Sequence, residues 1–204
     1  LKEVLDNCID EYAMGHGKSI EISMNEGKVS VRDYGRGIPL GKVVDVVSKI
    51  NTGAKYDSKA FQKSVGLNGV GTKAVNALSE FFKVEAYRDG QAAWATFSKG
   101  EILEKSPIES TNKANGTLVE FEPDGSVFKK YNYIPQFVEN MLWNYCYLNA
   151  GLTLEYNGKK FLSKRGLLDL LERKTDIETL RYPIIHQKGE DIEFAFSHGN
   201  QYGE

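Results

Sequence analysis

The segment Val29-Ser30-Val31-Arg32-Asp33-Tyr34-Gly35-Arg36-Gly37-Ile38-Pro39 joins the end of a strand to a glycine-rich turn, and the rest of the chain can be placed relative to it. Val29 and Val31 alternate with polar residues, the period of a half-buried strand. Ile20, Ile22 and Met24 do the same just upstream, and Asn25-Glu26-Gly27 links the two runs, so together they predict a β-hairpin with one buried face. Two steps beyond Val31, the phase sets Asp33 on that inward face, where an unpaired carboxylate is costly. It must meet a donor, either from the protein, as in a satisfied turn aspartate, or from a ligand. Directly after it, Gly35 and Gly37 allow tight backbone and Pro39 stiffens the exit.

On the N-terminal side, Leu1, Val4, Leu5, Cys8, Ile9 and Tyr12 form the i, i+3, i+4, i+7 stripe of an amphipathic helix. Its other face carries Glu3, Asn7 and Asp10 at i, i+4 and i+7, which puts a carboxylate, an amide and a second carboxylate in one row. A solvated helix face is one explanation. Such a face more often offers basic partners at i+4, yet no Lys or Arg lies between Glu3 and Glu11, and asparagine is a poor mid-helix residue. The row is therefore also a candidate site. The helix opens without a capping residue and the chain without Met, so a fragment of a longer polypeptide is expected.

On the C-terminal side, Val43, Val44, Val47 and Ile50 predict a second helix ended by Asn51-Thr52-Gly53. A polar stretch then leads into Gly66-Leu67-Asn68-Gly69-Val70-Gly71-Thr72-Lys73, after which Ala74, Val75 and Leu78 resume helical spacing. A glycine-rich loop emptying into a helix N-terminus presents free N–H groups and a positive dipole end, which suit phosphate. Lysines 49, 55, 59, 63 and 73 surround it with Asp57 as their sole opposing charge, whereas Glu3, Asp6, Asp10 and Glu11 face Lys2 alone on the first helix. An acidic helix and a basic loop match the two ends of a metal–phosphate ligand. The loop is not a P-loop, because Gly66 and Gly71 have the spacing but Thr72-Lys73 reverses the required order. The dinucleotide fingerprint fails as well, since the glycines run G-x-x-G-x-G.

Further along, 84–87 and 93–97 predict a hairpin around Arg88-Asp89-Gly90-Gln91, and Gly116-Thr117-Leu118-Val119-Glu120-Phe121 a strand with Thr117, Val119 and Phe121 on one face. Phe137, Met141, Tyr145 and Leu148 outline a helix, Asn157-Gly158 a tight hairpin turn, 167–171 a short helix, and Ile192, Phe194 and Phe196 a last strand. With 204 residues, 41% of them hydrophobic, and no repeats or linkers, one domain is expected, with a possible break near 180–187. The 26 basic residues against 28 acidic ones argue against holding nucleic acid by bulk charge. Cys8 and Cys146 lie in apolar patterns without metal-like spacing, which predicts buried free thiols and a reducing, cytoplasmic setting. His16, His186 and His198 are too scattered for a zinc site, and no apolar run is long enough to span a membrane.

Four of these blocks, in this order, resemble the GHKL or Bergerat-fold ATPases: the helix around Glu3 and Asn7, the turn from Asp33 to Pro39, the loop from Gly66 to Thr72, and Gly116-Thr117. Within that superfamily EVLDNCIDE, NTGAKYD, GLNGVGTKAVNALS and GTLVEF resemble the B subunits of type IIA DNA topoisomerases, gyrase or topoisomerase IV, over essentially the whole chain. The resemblance implies an α+β fold, a two-layer sandwich with a mixed, mostly antiparallel sheet and helices on one face. It implies an ATP-binding domain over 1–182 and the beginning of a transducer domain over 183–204. Glu3 would be the catalytic base, Asn7 the Mg²⁺ ligand, and Asp10 a further pocket residue. Asp33 would accept the adenine amino group, helped by Gly37 and Thr117 through a water, with Gly35, Ile38 and Pro39 shaping the adenine wall. Lys55 and the segment Gly66, Leu67, Asn68, Gly69, Val70, Gly71 and Thr72 would hold the phosphates. Arg36 and Arg88 would rim the pocket where competitive inhibitors bind. Phe61, Val65 and Asn68 stand where the related lids more often carry Tyr, Gly and His. The partners implied are a second copy of the same topoisomerase component, the A subunit and, through the intact enzyme, DNA, with no membrane. Turnover by this chain alone is expected to be slow or absent. The alternative is a module of the same fold that binds nucleotide or a protein without hydrolysis.

Overall fold

The computed structural model describes residues 1–49 and 70–200. Helix α1 (Lys2–Ala13) leads into strands β1 (Ser19–Asn25) and β2 (Lys28–Asp33), a 3₁₀ turn at Leu40–Lys42, and helices α2 (Val43–Ser48) and α3 (Gly71–Ala77). There follow β3 (Ser79–Arg88), β4 (Gln91–Ser98), β5 (Glu101–Lys105), β6 (Glu109–Ser110) and β7 (Gly116–Pro123). Helix α4 (Pro135–Leu148), β8 (Thr153–Tyr156), β9 (Lys159–Leu162), α5 (Leu167–Lys174), β10 (Ile185–Lys188) and β11 (Glu193–Phe196) complete the order.

The main sheet runs β5-β4-β3-β7-β2-β1-β8-β9, with β6 beside β4. Its neighbours are antiparallel except β1 and β8, which run parallel with Ser19 opposite Thr153. The sheet is thus mixed and mostly antiparallel, as the resemblance implied. Three hairpin turns use the chemistry that the sequence displays: Glu26-Gly27, Asp89-Gly90 and Asn157-Gly158 all have positive φ at both residues, the turn that matches strand twist.

One face of the sheet meets the helices. Ile20, Ile22, Val29, Val31, Phe82, Val84, Ala95, Phe97, Val119 and Phe121 point inward to Val4, Leu5 and Ile9 of α1, Val43 and Val47 of α2, and Val138, Leu142 and Cys146 of α4, in one continuous core. Fully burying a Leu or Ile stabilises by about 1.5–3 kcal/mol, which anchors α1 to the sheet through Leu5 and Ile9. Both cysteines are buried and free. Helix α4 forms where its periodicity predicts it, and burial divides its apolar residues. Val138, Leu142 and Cys146 are buried, whereas Phe137 is 68% and Leu148 70% exposed. Apolar residues lie nearly all round this helix, so spacing could not choose between two stripes one residue apart. The stripe built from narrower side chains is the one against the sheet. Strands β10 and β11 form a separate two-stranded ribbon.

Candidate functional site

Helix α1 and the end of β2 bring the proposed residues to one edge of the core. Asp33, the last residue of β2, is 5% exposed. Its Oδ1 accepts the Gly35 N–H at 2.8 Å and the Thr117 N–H of β7 at 3.2 Å. Cys8 of α1 approaches Oδ2, with Sγ at 3.8 Å. Burial pushes the Asp33 carboxyl up from its ordinary range, while the two amides and the charge of Arg32 pull it back. Burial, reinforced by the Asp33 carboxylate, drives the Cys8 thiol well up, so it stays protonated as a weak donor. The donor that the strand phase required is therefore the protein's own backbone, on one oxygen.

The turn after Asp33 is held from both sides. Gly37 has φ +77°, and a Cβ there would strike the Tyr87 carbonyl of β3. A Cβ on Gly35 would meet the Glu11 side chain at 2.8 Å. The same Glu11 carboxylate accepts the Arg36 backbone N–H at 3.0 Å, its Nε at 3.0 Å and its Nη2 at 2.8 Å. Burial alone would raise the Glu11 carboxyl, but the Arg36 donors outweigh it and hold it below its usual range. Arg88, at the end of β3, donates to the Gly37 carbonyl at 3.3 Å, so both predicted rim arginines touch the turn. Ile38 packs on the core and the Pro39 carbonyl caps the 3₁₀ turn by accepting from Lys42 at 2.7 Å.

The Glu3, Asn7 and Asp10 row runs from an open first turn to a closed third one. Glu3 is exposed, Asn7 half-buried and Asp10 1% exposed. Asp10 thus sits in the interior rather than on an accessible face with the other two. Asn7 Nδ2 donates to the Glu3 carbonyl at 3.0 Å and to Thr72 Oγ1 at 2.5 Å. Gly71 lies so close to Glu3 that a Cβ there would overlap the carboxylate. The first turn of α3, with Val70 exposed beside it, therefore faces the first turn of α1. Beside Glu3 and Gly71 opens a cavity of about 280 Å³ lined largely by apolar side chains, among them Val75, Phe121 and Tyr133; it does not reach Asp33. Lys55, Gly66, Leu67, Asn68 and Gly69 lie outside the described residues.

A sequence profile described as histidine kinase-, DNA gyrase B- and HSP90-like ATPase matches residues 1–125, the span that contains Glu3, Asn7, Asp33 and Thr117. The chain belongs to this ATPase family. It is 52% identical to the B component of DNA topoisomerase 4 from Borreliella burgdorferi over 204 residues, which is 100% of this chain and 34% of that relative. It is 35% identical to the gyrase B protein of Thermus thermophilus over 223 residues, 98% of this chain and 35% of that one. The 43K ATPase domain of Thermus thermophilus gyrase B, solved in complex with an aminocoumarin, superposes with a TM-score of 0.76 at 28% identity, over 95% of this chain and 54% of that chain. The chain spans about a third of the length of the two relatives. For a member of the family, the pairing of Glu11 with Arg36 and the Cys8 thiol beside Asp33 are the contacts that sequence reading missed. Both join residues 25 apart. Only the shared acidity of α1 hinted at either.

Proposed function

We propose that this chain is the ATP-binding and ATP-hydrolysing domain of the gyrase B or topoisomerase IV B component of a type IIA DNA topoisomerase. The observation that carries the reading is the state of Asp33. Its Oδ1 is saturated by two backbone amides while Oδ2 faces a thiol, so the second oxygen remains the acceptor for an adenine amino group. Gly37 and Thr117 would complete that contact through an ordered water, with Gly35, Ile38 and Pro39 walling the base and Arg36 and Arg88 at the mouth, where competitive inhibitors would meet them.

At the other end, Glu3 takes a proton from the attacking water, a role its exposed position suits. Asn7 fits a magnesium ligand. Its nitrogen donates to the Glu3 carbonyl and to Thr72, and a neutral amide oxygen beside phosphate oxygens and waters is a donor set Mg²⁺ accepts. Held there by Asn7, Mg²⁺ would offset the negative charge that develops on the phosphates. Lys55 and 66–72 would hold the phosphates. The interior place of Asp10 gives it the part of supporting α1 beneath the site.

The separate β10–β11 ribbon supports a division at 182, with 183–204 beginning a transducer domain. In the intact enzyme, nucleotide would dimerise two copies of this component, and together with the A subunit the assembly would pass one DNA segment through another in the cytoplasm. The test is a calorimetric titration with a non-hydrolysable ATP analogue and Mg²⁺ on the parent and on Asp33→Asn. Asparagine still accepts the Gly35 and Thr117 amides but sets an NH₂ against the adenine NH₂. Binding by the parent and its loss in the variant is expected; equal binding by both would remove adenine from Asp33.

A further inference from the structure

Arg32 stands next to Asp33 in β2 but on the opposite face of the sheet, and beyond the pull of its charge on the Asp33 carboxyl no role has been given to it above. Its guanidinium lies over the Tyr34 ring at 4.9 Å and the Tyr87 ring at 4.3 Å. Nη2 donates to the Ala114 carbonyl at 2.6 Å and reaches the Asn115 carbonyl at 3.4 Å. Nη1 is buried without a hydrogen-bond partner among the described residues, pressed 2.6 Å from where a Cβ on Gly116 would be. Tyr87 belongs to the outer face by strand alternation, yet it is only 1% exposed, with the cations of Arg32 and Lys113 set against its ring. Tyr34 is tied down in turn, donating its hydroxyl to Glu21 at 2.7 Å.

These contacts touch three backbone segments around Asp33. Tyr34 starts the glycine turn. Tyr87 pairs with Gly116 across β3 and β7, and its carbonyl is what Gly37 packs upon. Ala114, Asn115 and Gly116 lead directly into Thr117, whose N–H holds Asp33 Oδ1. The loop has further tethers, from the Asp89 N–H to Asn115 Oδ1 at 2.9 Å and from Lys113 Nζ to the Tyr87 hydroxyl at 2.9 Å. A planar guanidinium can lie against both rings and serve two carbonyls at once, which an ammonium cannot.

We propose that Arg32 is a positioning residue for base recognition, a clamp on the far face of the sheet that sets the distance between Asp33 and the Thr117 amide. This rests on the reading of Asp33 as the adenine acceptor. A fault in the clamp would misplace the base-recognising edge while leaving the phosphate contacts in place, so it should appear as lost discrimination between bases.

The test compares affinities for non-hydrolysable ATP and GTP analogues, together with thermal denaturation, in the parent, Arg32→Gln, Arg32→Lys and Asp33→Asn. Arg32→Gln is expected to weaken the ATP analogue about tenfold, the scale of one misplaced hydrogen bond, and the GTP analogue less than about twofold. Unchanged selectivity in Arg32→Gln, alongside lost binding in Asp33→Asn, would overturn the clamp and leave the site reading intact. Equal weakening of both analogues with a lowered melting temperature would also overturn it, by reducing Arg32 to a stabilising contact. Parent-like binding by Asp33→Asn would instead sink the site reading on which the clamp depends. Should Arg32→Gln fail to fold, Arg32→Lys decides. It keeps the charge but cannot span both carbonyls, so selectivity about threefold below the parent is expected, and parent-like selectivity would overturn the proposal.

Discussion

The two ends of the proposed site are built on different terms. Around Asp33 nearly every polar atom is already engaged: backbone amides hold one carboxylate oxygen, Glu11 holds Arg36, and two glycines sit where side chains would collide. Around Glu3 the side chain is exposed, and the neighbouring Asn7 reaches out to α3 through the Thr72 hydroxyl. The first end is preorganised by the sheet, so its ligand need reorder little. The second is assembled from the first turns of two helices. On the proposed reading, recognition of the base would depend on the fold, and chemistry on how α1 and α3 meet.

Substitutions at the open end should separate turnover from both stability and binding. Glu3→Gln is expected to lower kcat by roughly 10²–10⁴, the usual contribution of a general base. Because Glu3 is exposed, its unfolding free energy should stay within about 0.5 kcal/mol of the parent. Steady-state hydrolysis by the full-length enzyme beside a denaturation curve would show both, and a parallel loss of stability would erase the contrast. At the closed end, Asp33→Asn should weaken the ATP analogue by about 2–3 kcal/mol, the value of a hydrogen bond to a charged group. That variant should fold normally, since Oδ1 keeps both amides.

Smaller effects sharpen the comparison. Gly37→Ala should destabilise by about 1–3 kcal/mol, because the residue would be forced into left-handed backbone and against the Tyr87 carbonyl; urea midpoints would measure it. Gly41, where nothing lies within 4 Å of an added Cβ, is the control that should not respond. Glu11→Gln should cost no more than about 1 kcal/mol, since the pair is partly exposed. The sign with pH follows from the lowered Glu11 carboxyl, with an ordinary value of 4.5. Its stabilisation is complete above that value and disappears as pH falls through the lower folded one. Acid unfolding curves of parent and variant should therefore converge at low pH, and curves that stay parallel would mean that the pair contributes nothing through its charge.

How much of this was legible beforehand depended on the range of the interaction. The β1–β2 hairpin, the Asn157-Gly158 turn and the inward phase of Asp33 are local, governed by alternation and turn chemistry within a few residues. The other strand neighbour of β2 is not. β7 reaches it from a distant part of the chain and supplies the Thr117 amide, so the sequence indicated that Asp33 needed a donor but not which one. Pairs such as Glu11 with Arg36, or Arg32 with Ala114, exist only once helix and loop are docked. The inward face of α4 was not legible for another reason: with apolar residues on almost every side, only packing against the sheet could select Val138, Leu142 and Cys146.

The parallel pairing of β1 with β8 carries a consequence for how the molecule is made. The two strands come from opposite ends of the chain, Ser19 meeting Thr153, so their contact closes a loop that spans most of the polypeptide. Every other pairing in the main sheet is antiparallel, and several are consecutive hairpins that can zip as soon as they are formed. Closing the long loop must precede any reward from the β1–β8 hydrogen bonds, which makes it a slow, late event in folding. Amides bonded between β1 and β8 should accordingly gain protection from solvent exchange after those of the β3–β4 hairpin during refolding, and the docking of β8 onto β1 should set the pace for the whole domain.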